Sequence, residues 1–264
     1  MSMVALSGWV LAGLVLAALV AGWVDAVVGG GGIIQLPALL IGLPAELAVA
    51  SVSATNKLSS VAGTAMAAAS YLRSVPVRWR AALPLVVTAW IGSSAGAQLV
   101  HFVPRKWFTP VVLVVLVGIG IYTVRRPELG LRHAPRREGA VSWLLLVTIG
   151  LVIGLWDGLM GPGTGSFLII ALVALLGYGF LQASALAKIA NLATNLAALV
   201  VFFGSGHILW SVGLPMALAN LVGGWLGSRT AIRYGSAFVR KVFLVVVVVI
   251  GVRLGWQVVE QFAH

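Results

Sequence analysis

The chain reads as an all-α, polytopic membrane protein built from two inverted-topology repeats, with about five transmembrane helices in each and short or broken helices at two glycine-rich motifs. Three observations lead there. Of the 264 residues, 61% are hydrophobic and only 9% charged. The only two aspartates, Asp25 and Asp157, each lie in an apolar segment beside a glycine cluster, WVDAVVGGGG (23–32) and LWDGLMGPGTG (155–165). The interval between those aspartates also matches, within one residue, the interval between Lys57 and Lys188.

Runs such as VVLVVLVGIGIY (111–122) and FLVVVVVIGV (243–252) have no place in a soluble domain of this size. A span needs ~20 largely apolar residues, so the chain holds at most about ten spans with short loops and no soluble domain. The net charge of +11 comes from Arg and Lys clustered in short loops between apolar runs. That is the pattern of cytoplasmic loops, so the charge reports orientation and does not call for a nucleic-acid partner. The absence of cysteine excludes disulfides, thiolate metal sites and cysteine nucleophiles. The first apolar run begins almost at Met1 without a basic flank and leads directly into the Asp25 motif, which predicts a first span and not a cleaved signal.

Sliding the second half over the first by the Lys57-to-Lys188 interval aligns more than the lysines. Ser53 meets Ser184, Trp79 meets Trp210, Pro84 meets Pro215, Gly92 meets Gly223 and Gly96 meets Gly227, while Gly22, Gly29 and Gly31 fall near Gly154, Gly161 and Gly163. After a short slip, VPRKWF (103–108) meets FVRKVF (238–243). Rare residues recurring in order make a duplication. The predicted organisation is a first membrane repeat at 1–124, a linker at 125–138 and a second repeat at 139–264. The apolar runs of the first repeat are 4–25, 33–42, 45–72, 81–100 and 107–124; those of the second are 140–157, 165–177, 181–204, 210–230 and 238–258.

The linker RRPELGLRHAPRRE carries five arginines and is predicted to be cytoplasmic. Counting outward from it, the 73–80 loop with Arg73, Arg78 and Arg80 is inside, whereas its counterpart at 205–209 is uncharged and outside. Conversely the 101–106 loop is outside, and the 229–241 loop with Arg229, Arg233, Arg240 and Lys241 is inside. Equivalent loops on opposite faces require inverted halves and an odd number of crossings in each, with both termini outside. Five crossings satisfy this, as do three with a re-entrant hairpin. Inverted repeats are characteristic of secondary transporters whose site lies near the midplane, between discontinuous helices.

The glycine clusters are the predicted discontinuities. Each glycine in a helix interior costs about 1 kcal/mol relative to Ala, so four in succession mark an interruption. In the second motif Pro162 also removes a backbone donor and obstructs the preceding turn. Helices restarting near Ile33 and Ser166 would offer free N–H groups and a positive dipole end to an anion, which makes Gly30, Gly31, Gly32, Gly163, Thr164, Gly165 and Ser166 candidate binding residues. Lys57 lies in SATNKLSS (53–60) beside Thr55 and Asn56, and Lys188 in SALAKIANLATN (184–195) with Asn191 and Asn195 one and two turns along its face. Cations and amides together suit a small oxyanion. An equally supported reading has each lysine neutralised by Asp25 or Asp157 in an ion pair between helices, leaving the anion to amides and backbone. The aspartates in turn fit either ion coupling or support of the broken helices. Gln35, Thr64 and Asn220 are polar candidates of lower rank.

A hydrolase pairing of Ser166 with His207 lacks the required spacing, because GTGSF is not GxSG and the predicted topology puts His207 in an outside loop. No catalytic residue is assigned. His101, His133 and His264 fall near loops or the terminus, so neither a metal cluster nor a cofactor is expected.

The stretches AGWVDAVVGGGGIIQLPALL (21–40), ATNKLSS (54–60), GLWDGLMGPGTGSFL (154–168) and AKIANLATN (187–195) resemble the sulfite exporter TauE/SafE family of membrane permeases, over essentially the whole chain. They are most similar to the branch known only as probable membrane transporters. The resemblance implies an inner-membrane, multi-pass transporter that exports a small sulfur oxyanion, sulfite or an organosulfonate, by alternating access between inverted halves. Its partners would be that anion and the lipid bilayer, with a homodimer left open by the sequence. A passive anion channel is the alternative.

Overall fold

The computed structural model describes residues 7–44, 47–99, 121, 124–125, 130–131, 133–134, 139–204 and 208–263. Among them are eight α-helices and no strand. In the first half these are α1 (Gly8–Val28), α2 (Gly31–Gly42), α3 (Val49–Ser74) and α4 (Trp79–Leu99). In the second they are α5 (Gly139–Leu159), α6 (Thr164–Leu176), α7 (Phe180–Gly204) and α8 (Trp210–Ala263). The run expected at 107–124, apart from residues 121 and 124, lies outside the described residues, as do the 101–106 loop, His101, His207, His264 and most of the 125–138 linker.

Long helix, break, short helix, long helix, long helix: the order is the same in both halves. α1, α4, α5 and α7 are long and apolar enough to cross a membrane. α2 and α6, with 12 and 13 residues, are not. At 1.5 Å per residue they reach about 18–20 Å, short of the ~30 Å hydrocarbon core. Each folds back on the helix before it. A side chain at Gly31 would strike Ala21 and Asp25, and one at Gly42 would touch Leu14, so α2 lies antiparallel along α1.

Several boundaries differ from the sequence expectation. α1 continues past Asp25 to Val28, and α5 past Asp157 to Leu159, because the chain keeps helical bonding until a glycine with positive φ ends it. The runs expected at 210–230 and 238–258 are joined through residues 231–237, which are themselves helical save for a kink at Gly235 (φ 71°, ψ −168°). One residue in the left-handed region is enough to redirect the axis, and only glycine takes it without strain.

Contacts between the halves dominate the packing. A Cβ on Gly92 or Gly96 of α4 would collide with the α5 backbone at Leu151 or Leu155, while Gly154 and Gly158 of α5 press on Ala89 and Ser93. The α1/α8 interface is built alike. Gly22 abuts the backbone of Asn220, and Gly223 and Gly227 abut Leu19 and Trp23. Gly223 and Gly227 are the sequence counterparts of Gly92 and Gly96, so one small-residue interface is made twice. The largest apolar cluster among the described residues gathers Val27, Leu85, Ile149, Leu168, Leu172, Phe180 and Phe243.

Candidate functional site

The α1–α2 and α5–α6 hairpins meet at their tips. A Cβ on Gly29 would penetrate the backbone of Gly165, one on Gly165 would strike Gly29, and one on Gly32 would press on Pro162. α1 ends there with Gly29 at φ 79°, its N–H bonded to the Asp25 carbonyl at 2.7 Å. The carbonyls that the helix end leaves over are each taken up from another helix. Tyr71 donates its hydroxyl to Ala26 O (2.9 Å), Ser184 to Val27 O (3.5 Å) and Ser166 to Val28 O (2.7 Å), and the Ser166 N–H reaches Gly29 O (3.2 Å). The second break is held by Trp156, whose indole N–H donates to Pro162 O at 3.0 Å, and by the Thr164 hydroxyl on Gly161 O at 2.7 Å.

Beside these tips lie two ion pairs, each joining one half of the chain to the other. Lys57 of α3 pairs with Asp157 of α5 at 2.6 Å, and Lys188 of α7 pairs with Asp25 of α1 at 2.8 Å. The lysines recur at nearly the same interval as the aspartates, so the pairing runs crosswise between the two halves of the sequence. Lys57 Nζ also donates to Asn195 Oδ1 at 3.0 Å, and Asp157 Oδ2 accepts from Ser93 at 3.4 Å. Asp25 Oδ1 accepts a long 3.4 Å bond from Gly31 N–H at the start of α2. A helix start so placed favours negative charge near it. Charges this deep persist because each has a partner; an isolated ion would carry a penalty of several kcal/mol.

Between the pairs is a cavity lined by glycines of both breaks, Asp25, Asp157, Lys57, the amides Asn56, Asn191, Asn195 and Asn220, and the hydroxyls of Ser60, Thr64 and Thr164. Its volume is about 20 Å³. That admits one water and no oxyanion, since a water needs ~10–15 Å³.

Of the residues expected from sequence to bind, Asn56, Lys57, Asn191, Asn195, Gly31, Gly32, Thr164 and Gly165 line this cavity, with Asp25 and Asp157 at its wall. Lys188 does not; fully buried, it faces Asp25. Gly30 and Gly163 cap the N-termini of α2 and α6. Ser166 holds the α1 end. Thr55 donates to Ser51 O and accepts from Leu209 N–H, which turns its hydroxyl toward helix ends. Gln35 is a buried junction behind the wall: its Oε1 accepts from Asn220 (2.6 Å) and Ser59 (3.3 Å), and its Nε2 donates to Asn56 O (3.3 Å). Sequence reasoning did not single out Ser60 and Ser93. A lone serine on an apolar helix gives no signal of its own, although Ser60 falls one turn after Asn56.

The sequence profile of the family described as Sulfite exporter TauE/SafE matches residues 14–254. A probable membrane transporter protein, ORF9, of Sinorhizobium sp. is 34% identical over 245 residues, 92% of each chain. One from Haemophilus influenzae is 34% identical over 227 residues, 86% of this chain and 87% of its own. The probable membrane transporter protein YfcA of Escherichia coli K12 is 30% identical over 237 residues, 90% of this chain and 86% of its own. No solved structure matches the chain.

Proposed function

The chain belongs to the sulfite exporter TauE/SafE family of membrane transporters, and on that premise we propose that it carries a small oxyanion, sulfite or an organosulfonate, out of the cell by alternating access. The carrying observation is the polar cavity at the crossing of two helix breaks, where lysine, amide and hydroxyl groups converge with backbone amides at the start of α2 and α6. Donors of this kind replace the hydration shell of an oxyanion, and a helix start adds a favourable dipole. Lys57 supplies the cationic contact, Asn56, Asn191 and Asn195 the amides, and Lys188 holds Asp25 in place.

The small cavity volume supports a carrier over a channel, because the helices must part to admit the anion. The crosswise pairs are suited to that movement, since each ties one half of the chain to the other. In this reading the halves 1–124 and 139–264 are inverted repeats in the inner membrane, with the 125–138 linker cytoplasmic and both termini outside. A membrane potential negative inside then favours efflux of a monoanion by about 2.3 kcal/mol per 100 mV.

Counterflow tests the carrier directly. Proteoliposomes loaded with unlabelled sulfite and placed in trace labelled sulfite should accumulate label transiently above equilibrium. Simple equilibration without overshoot would mean a channel. No sulfite or sulfonate movement at all would refute the anion assignment.

A further inference from the structure

The cavity wall contains a buried acceptor that no described residue satisfies. Asn56 is 6% exposed and lines the cavity, and its Oδ1 is buried without a hydrogen-bond partner. The bonds to Asp157 from Lys57 and Ser93 both go to Oδ2, and Asp157 also lines the cavity. A buried acceptor left unpaired costs ~1–3 kcal/mol, and such groups persist where a ligand or water completes them. The charges point the same way. Two lysines and two aspartates cancel, so the site has no surplus positive charge to offset a dianion.

On the transport reading above, we propose that the site selects a monoanion that itself carries a hydrogen-bond donor, as hydrogen sulfite in its hydroxyl form and hydroxylated sulfonates do, and that Asn56 is the residue that reads the donor. The oxyanion end faces Lys57, the asparagine N–H groups and the helix starts, while the hydroxyl end donates to Asn56 Oδ1. A bare dianion would leave the Asn56 acceptor unpaired and add repulsion from Asp25 and Asp157. An alkylsulfonate would fill the space and leave that acceptor unpaired as well. Sites that pair a ligand hydroxyl with buried polar groups discriminate strongly against analogues lacking it.

Two sulfonates of equal heavy-atom count and charge isolate the donor: isethionate, which ends in a hydroxyl, and propane-1-sulfonate, which ends in a methyl. Each is titrated against labelled sulfite uptake into proteoliposomes of the full-length protein at one pH, with sulfate as the dianion. The wild type should be half-inhibited by isethionate at a concentration at least about tenfold below that for propane-1-sulfonate, and sulfate should compete least. In Asn56→Leu the preference should fall toward unity, and in Asn56→Ser, which restores an oxygen acceptor, it should partly return. The wild-type comparison stands even if a variant fails to fold. Equal inhibition by the two sulfonates would overturn the donor requirement and leave anion transport intact. Absence of both sulfite flux and competition by any anion would overturn the two together.

Discussion

Lys57 and Lys188 are each within hydrogen-bonding reach of an aspartate from the opposite half of the chain, and the partnership is specific. Removing one member of a buried pair strands the other, at about 3–5 kcal/mol, whereas removing both is far milder. Lys57→Met should therefore lower thermal stability in detergent sharply, and Asp157→Asn should restore it in the same chain. Asp25→Asn should not. The reciprocal holds for Lys188→Met, rescued by Asp25→Asn and not by Asp157→Asn; non-specific rescue would break the assignment. The sequence announced the rare charges and their repeat interval. It left open whether the lysines face the anion or the aspartates, and could not say which aspartate meets which lysine, because each aspartate and each lysine recurs in the same order in both halves. Only the crossing of the hairpin tips decides that.

At the scale of elements, the two breaks are the most exacting feature. Gly29 combines positive φ with backbone contact to Gly165, so a methyl has neither a permitted conformation nor space. Gly29→Ala should abolish folded protein, measured as the monodisperse fraction after purification. Gly13→Ala, in the same helix with nothing within 4 Å of the added carbon, should be neutral or stabilising by about 0.5–1 kcal/mol. The breaks themselves were legible as GGGG and GPGTGS, since clustered glycines and a proline disfavour a continuous helix. The helix continuation past Asp25 and through residues 231–237 was not, because helix ends follow hydrogen bonds and φ more closely than they follow hydropathy.

The turn between α6 and α7 carries a pH-dependent contact with the linker. His133 stacks edge-on against Tyr178 at 5.1 Å, and its Nδ1 accepts from Gly179 N–H at 3.4 Å. Partial burial, and then the nearby Arg78 guanidinium, hold its pKa below the ordinary 6.5. The unfolded linker therefore binds a proton more readily than the docked one, so stability from this contact is present above pH 6.5 and is lost as pH falls through and below that value. Protonation also removes the Nδ1 acceptor. Histidine titration by NMR should give a His133 pKa under 6.5, and hydrogen exchange at Gly179 should speed up in mildly acidic buffer. A pKa above 6.5 would contradict the placement.

The whole molecule is one interface made twice and one site made once. The α4/α5 and α1/α8 contacts use equivalent glycines, and the two hairpins close on a centre to which each half contributes glycines, amides and one member of each ion pair. The recurring sequence motifs pointed to such a centre and to Asn56, Asn191 and Asn195. The pairing of donors and acceptors inside it was not foreseeable, since Ser93, Gln35 and Asn220 act through contacts made between distant parts of the chain. The central claim is that this paired, nearly closed cavity is where the anion passes. It is tested most directly by the double variant Lys57→Met/Asp157→Asn in proteoliposomes, with folding verified by thermal melting. The protein should remain folded and lose at least about 100-fold in sulfite flux, the scale expected when a charge-assisted contact worth about 3 kcal/mol is removed. Flux at the wild-type level from the folded double variant would contradict it.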